Sequence, residues 1–208
     1  MSKLSFLYFT AADSETTAVV NWVNPGQFSL SGVSAPVFTA WQGYVGDGSA
    51  DYLDTGITPL GLPNYERDYS HVGAYMTRNA AGAVGVGLSG SSSIILQPRT
   101  GGGNFSSRHN QATGHNVANA DSDGYFLLNR ETSTSYAKYI DNSLAATATE
   151  TSDTLSSADT FTLLHANGNF SAAGGKISVA HAGLFLDSTR RSALSAIITR
   201  YMSEASGF

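Results

Sequence analysis

The apolar residues of this chain recur with a period of two, in short runs that turn-forming residues keep interrupting. Runs at 4–9, 37–41, 52–57, 71–76, 84–88, 94–97, 125–129, 136–140, 161–165 and 177–186 are rich in β-branched and aromatic side chains. Gly, Pro, Asn, Asp or Ser bound each of them. Such alternation buries one face of a strand and wets the other, so the chain is expected to pair antiparallel in a two-sheet sandwich or barrel. With 208 residues, 41% of them apolar, folding can bury about 70% of the surface the unfolded chain exposes. One core suffices, and no repeat or composition shift divides residues 1–208, which read as one all-β domain.

Turn chemistry sharpens this reading. Asp141-Asn142 separates 135–140 from 143–147, and both residue types tolerate the left-handed backbone of a two-residue hairpin turn. Asn167-Gly168-Asn169 is a second such turn. One segment breaks the period: Leu194, Ile197, Ile198, Tyr201 and Met202 fall three and four apart. That predicts an amphipathic helix of about four turns over 189–202, capped by Asp187 or Ser188 and followed by Gly207. The polar stretch 100–124 reads as a long loop with one further strand at 104–107, since compact domains seldom hold so long a structureless segment.

Composition excludes several classes. With 11 basic and 16 acidic residues the net charge is −5, which argues against a basic face for nucleic acid or an anionic membrane. Without cysteine, neither a disulfide framework nor a thiolate metal site can form. No run approaches the roughly 18 to 20 apolar residues that cross a bilayer, so no membrane insertion is expected. Residues 1–10 hold one basic residue and lead into Asp13 and Glu15, so they read as a first strand and not a signal peptide. At 13% charged and 11% aromatic, the chain is too apolar for disorder, and its surface must be largely Ser, Thr, Asn, Gln and Gly.

The stretch Gly43-Tyr44-Val45-Gly46-Asp47-Gly48-Ser49-Ala50-Asp51-Tyr52-Leu53-Asp54-Thr55-Gly56 resembles a G-x-x-G-D-G-x-x-x-Y-x-D-T-G segment of tailed-phage structural proteins. In those proteins it opens a concanavalin A-like (laminin G-like) jelly roll. The hairpin from Tyr136 to Leu144, the strand Gly174-Gly175-Lys176-Ile177 running to Gly183, and the helix from Thr189 to Met202 follow in that family's order, so the likeness spans about 38–202. The resemblance implies a two-sheet antiparallel jelly-roll sandwich with one C-terminal helix. It also implies a non-enzymatic virion component, made in the host cytoplasm and displayed on the particle surface. Its partners would be other virion proteins and copies of itself as a homo-oligomer. The same sandwich hosts lectins and glycosidases, so a glycan-binding adhesin on host-surface polysaccharide and, behind it, a polysaccharide hydrolase are the alternatives.

The residues speak to each alternative. A glycosidase on this fold needs paired carboxylates on one strand face, and no such run exists: Glu131 stands alone, and Glu150 and Asp153 lie in a Ser/Thr-rich connector. The 90–93 segment lies between two β runs, so it is no nucleophile elbow. No cofactor is expected. No metal site is expected: Asp47, Asp51 and Asp54 lie close in sequence, as do Asp121 and Asp123, which are the weak candidates for calcium, but Asp-Gly strings read first as ordinary turns. His165 and His181 read as hydrogen-bonded sheet residues. Trp22 and Trp41 read as core in preference to sugar platforms. The candidate partner- or glycan-contact loop comprises Arg99, Arg108, His109, Asn110 and His115, because long polar loops on rigid scaffolds carry function.

Overall fold

The computed structural model describes residues 3–91 and 93–207. Met1 and Ser2 of the expected first strand, and Ser92 of the 90–93 segment, lie outside them. The chain is a jelly-roll sandwich of two antiparallel sheets with one long C-terminal helix. The helix-side sheet runs in the order β13 (Ser143–Thr149), β12 (Ser135–Ile140), β11 (Gly124–Thr132), β6 (Ser70–Met76), β17 (Lys176–Leu184), β4 (Gly43–Val45), β3 (Val37–Thr39). Beside β4, β1 (Leu4–Phe9) pairs with the rest of β17. The second sheet runs β10 (His115–Ala118), β9 (Asn104–His109), β8 (Ile94–Gln97), β7 (Val86–Leu88), β14 (Phe161–Leu163), β5 (Tyr52–Asp54), β2 (Ser31–Val33). A short ladder joins β15 (His165–Ala166) to β16 (Asn169–Phe170), and a single turn, α1 (Glu15–Ala18), follows β1.

Alternation along each strand decides what lies between the layers. Phe6, Tyr8, Val72, Ala74, Met76, Phe126 and Leu128 face inward to meet Val86, Leu88, Leu96, Phe105, Phe161 and Leu163. Phe6 meets Phe161 and Phe105 meets Phe126 edge to face, each pair with ring centroids 5.4 Å apart, the geometry the ring quadrupole favours. The intervening residues Leu7, Tyr125, Leu127 and Val179 point outward, under Ile198 and Met202 of the helix α2 (Ser188–Ala205). Both faces of β11 are therefore covered, which is why Tyr125-Phe126-Leu127-Leu128 is an unbroken apolar run.

Several expected runs end early, each for a local backbone reason. Trp41 (φ 61°) stops β3 at Thr39. The Asp54 carboxylate accepts the Gly56 amide and turns the chain after β5. Leu164 (φ 65°) splits the 161–165 run into β14 and β15. The Asp141-Asn142 turn forms as expected, with φ of 47° and 64°. Asp187 caps α2 by accepting the Arg190 amide at 2.8 Å. This helix is longer than the sequence implied, and its buried seam is Ser195, Ile198, Met202 and Ala205, whereas Ile197 is 55% exposed.

Two expectations need correction. The supposed loop 100–124 is mostly the β9–β10 hairpin, in register from His115 opposite Ser107 to Ala118 opposite Asn104. Its alternation is masked because Ser107 and His109, though polar, face inward. Trp22 is not a core residue: it is 48% exposed and touches Phe9 edge-on at 6.4 Å. No helix among the described residues is long and apolar enough to cross a membrane.

Candidate functional site

The five residues assigned to one contact loop do not form one site. His109 and Asn110 are buried and cannot meet a partner. The His109 carbonyl accepts two bonds from the Arg130 guanidinium, at 2.7 and 3.0 Å, and its Nε2 lies 3.2 Å from Ser70 Oγ. Asn110 receives the Tyr65 hydroxyl at 2.9 Å and donates to the Arg67 carbonyl at 2.7 Å. Arg108 is partly exposed and stands opposite Ile95 on the outer side of the second sheet. Arg99 is partly exposed and donates to Asn79 at 2.8 Å. His115 is half-buried, its ring held below the usual imidazole range by burial and by Lys138.

The acidic residues considered for calcium serve their own turns. Asp47 Oδ1 accepts the amides of Ser49, Ala50 and Asp51 at 2.8 to 2.9 Å, and Asp121 Oδ1 accepts that of Asp123 at 2.9 Å. Among the described residues no group of three or more His, Asp or Glu is arranged to hold a metal ion.

What the fold does assemble is a groove of about 510 Å³ on the helix side, walled by Trp41, Tyr75, Thr77, Asp123 and the last turns of α2. Four segments build it. The first is the β3–β4 hairpin, whose loop Ala40-Trp41-Gln42 puts a tryptophan in the left-handed region at φ 61°. That conformation costs a non-glycine residue about 1–2 kcal/mol, and its neighbours hold it in place. The Trp41 amide donates to Ala12 O at 2.8 Å, and Gln42 O accepts the Ser178 and Thr77 hydroxyls at 2.9 and 3.3 Å. Gly43 (φ 96°) completes the turn, where a Cβ would lie 2.0 Å from Ile177 O. No other residue type fits there.

The second segment is the end of β6. Tyr75 projects outward beside Tyr125 of β11, and Thr77 follows it. Burial, then the charge of Asp123, holds the Tyr75 hydroxyl above its usual range. The third is the approach to β11, which supplies Asp123. Its carboxyl is raised by burial first and then by Asp121, with Asp141 adding in the same sense. The fourth is α2, which contributes Thr199, Met202, Ser203, Ala205 and Ser206; the Ser203 and Ser206 hydroxyls donate to Arg200 O and Ser203 O at 2.8 and 2.9 Å. Tyr201 fixes this end of the helix by donating to Ala11 O at 2.6 Å. A wall that combines two aromatic residues and Met202 with hydroxyl, amide and carboxylate side chains has the chemistry to take a ligand with both apolar and hydroxylated edges.

Of these wall residues the sequence drew attention to Trp41 as core and Asp123 as a calcium ligand. The left-handed turn lifts Trp41 out of the core, and Asp123 faces the groove. Tyr75, Thr77, Gln42, Thr199 and Ser203 carried no signal, because more than thirty residues separate each segment from the next and only the folded sheet brings them together.

No protein-family model matches the chain, and no curated protein matches it. Solved structures share its fold. Domain 4 of AbnA, a GH43 extracellular arabinanase from Geobacillus stearothermophilus, solved with arabinotriose, superposes with a TM-score of 0.62 at 13% identity, over 93% of this chain and 98% of that one. The Trypanosoma rangeli sialidase in complex with sialic acid gives 0.63 at 10% identity, over 94% of this chain and 33% of that one. The receptor binding domain of botulinum neurotoxin C/D mosaic serotype gives 0.62 at 8% identity, over 93% and 51%. This chain thus spans nearly all of the arabinanase domain, about half of the toxin domain and a third of the sialidase, and at these identities the likeness is one of fold.

Proposed function

We propose that this protein binds a glycan without cleaving it, and that the groove between Trp41, Tyr75 and α2 is the binding site. The observation that carries the reading is a groove of about 510 Å³ whose wall brings Trp41 and Tyr75 together with hydroxyl, amide and carboxylate side chains. Sugars stack their C–H faces on aromatic rings while side-chain amides, hydroxyls and carboxylates take their hydroxyl edges, and such pockets combine apolar walls with a few placed polar groups. Fold neighbours solved with arabinotriose and with sialic acid lend support. The non-catalytic part of the reading rests on Asp123, the one carboxylate among the described wall residues, whereas glycoside hydrolysis ordinarily uses two. A glycan array followed by calorimetry on the best ligand tests this. Trp41→Ala and Tyr75→Ala should each weaken binding by about ten-fold or more. Binding unaffected by both substitutions would move the site elsewhere, and an array without saturable binding would end the glycan reading.

A second reading, compatible with the first, is that the protein is displayed on a tailed-phage particle and contacts other virion proteins or copies of itself. It draws on the Gly43–Gly56 resemblance and on one structural observation. Residues 16–46 contain no charged side chain, yet this stretch exposes Trp22, Phe28 and Val37 at 48%, 40% and 61%. Uncharged exposed apolar surface is the usual mark of a protein interface. Mass spectrometry of purified particles that finds no such chain would remove this reading.

A further inference from the structure

The groove has a sign as well as a shape. Asp123 is the one charged side chain among its described wall residues, and Asp121 and Asp141 lie close enough to act on its carboxyl. The C-terminal end of α2 opens onto the same space through Ala205 and Ser206. A helix ends in partly unsatisfied carbonyls equivalent to roughly half a negative charge, and the last turn of α2 carries no basic residue to offset it. Arg200 and Glu204 pair with each other at 2.9 Å. Two cations stand behind the wall and outside it: the Lys176 ammonium donates to Gln42 Oε1, and Arg78 follows Thr77 and acts on Lys176, but neither is among the described wall residues. Among the described wall residues a ligand therefore meets a carboxylate and a helix C-terminus, and the Lys176 ammonium only from behind Gln42.

We infer, building on the glycan reading, that the groove selects uncharged sugars and rejects acidic ones, with Asp123 as the residue that sets this specificity. A uronate, sialate or sulfate group held within one sugar length of Asp123 would face its charge at short range, where like charges repel, the more so at low salt. Neutral hydroxyls suffer nothing of the kind and can donate to the same carboxylate. Specificity here comes from repulsion of the wrong ligand as much as from attraction of the right one.

The test uses the full chain and matched saccharide pairs: galacto-oligosaccharide against oligogalacturonate, and manno-oligosaccharide against oligomannuronate. Calorimetry is run at 50 and 500 mM salt, conditions between which exposed charge effects are largely screened. The neutral member of any pair that binds should be tighter by about ten-fold or more at low salt. The gap should narrow at high salt and in Asp123→Asn, and Asp123→Lys should invert it, with thermal melts confirming that both variants fold. A uronate that binds as tightly as its neutral counterpart, or a gap that Asp123→Asn leaves intact, overturns the inference while leaving glycan binding in place. Binding of neither member in any pair, with an array equally blank, overturns the glycan reading and this selectivity with it.

Discussion

His71 Nε2 lies 3.0 Å from His181 Nδ1 on the outer face of the helix-side sheet, and both rings are buried. A carbonyl at one end fixes every proton in this chain. His71 Nδ1 is 2.6 Å from Leu184 O, which can only accept, so His71 carries its proton on Nδ1 and offers Nε2 as an acceptor. His181 must then donate from Nδ1, which leaves its Nε2 to accept the Tyr125 hydroxyl at 2.9 Å. Tyr125, His181, His71 and Leu184 thus form one directional relay of neutral groups under α2, each satisfied once.

Acid should dismantle this relay. Burial pushes His71 down to about 4 and His181 well below its usual range, the latter with help from His71. Buried His109 is lowered in the same way, with Arg130 adding to the effect. Between about pH 6.5 and 4 the unfolded chain therefore takes up protons that the folded one refuses. The stability His71 contributes is complete above about pH 6.5 and is lost as pH falls towards and through 4, and His181 and His109 act in the same sense. His71 alone accounts for on the order of 3 kcal/mol. Asp51 and Asp123, raised in the fold chiefly by burial, act in the opposite sense over the range just above the ordinary carboxylate value. Urea melts at pH 7, 6, 5 and 4.5 should show a steadily falling midpoint, and a flat profile across that range would contradict the assignment.

The relay also separates two substitutions that look equally mild. Tyr125→Phe removes the donor to His181 Nε2 and leaves one buried acceptor unmet, which costs about 1–3 kcal/mol. Gly73→Ala touches no hydrogen bond, yet its Cβ would fall 2.3 Å from His181 Nε2 and 2.4 Å from Cε1, forcing the ring off its partners on both sides. Equilibrium unfolding should rank Gly73→Ala as the more damaging of the two. The opposite order would mean that the ring can move aside cheaply.

Arg130 makes a related case at the other end of the sandwich. It is fully buried and its guanidinium donates to the carbonyls of His109, Thr132 and Glu150 at 2.7 to 3.2 Å, with the Tyr136 ring 5.2 Å away. Arg130→Lys supplies one point of charge where a planar fork spans three acceptors, so it should be far from conservative. Both Arg130→Lys and Arg130→Met are expected to lose about 2–4 kcal/mol in urea unfolding. A loss under 1 kcal/mol in either would show that water replaces the fork.

The legible parts of this fold are those where one residue decides the local geometry. Asp141 and Asn142 announced their hairpin, Asp187 its helix cap, and the period-two runs the layers. Where two effects compete, the sequence misleads. Ser107 and His109 break the apolar alternation of β9 because Arg130 and Tyr136 make that end of the interior polar. Strands as short as β2, β4 and β10 leave no pattern to read at three or four residues. The candidate groove was illegible for a different reason. Its walls come from positions near 41, 75, 123 and 199–206, and only the pairing of β6 with β11 and β17 makes neighbours of them.

The strained turn offers a prediction in which stability and binding part company. At an ordinary solvent-facing position glycine is the less stable replacement than alanine, by roughly 0.5–1 kcal/mol, because it loses more backbone freedom on folding. Position 41 should reverse that order. With φ at 61°, an alanine keeps the clash between Cβ and backbone that disfavours the left-handed region, and a glycine does not. Trp41→Gly and Trp41→Ala lose the same indole, so their difference isolates the backbone. Trp41→Gly should be the more stable by about 1 kcal/mol in urea unfolding, while glycan binding falls equally in both. If Trp41→Ala proves the more stable, the turn relaxes when the ring is removed, and the left-handed conformation is then a consequence of the indole's packing and not a constraint that displays it.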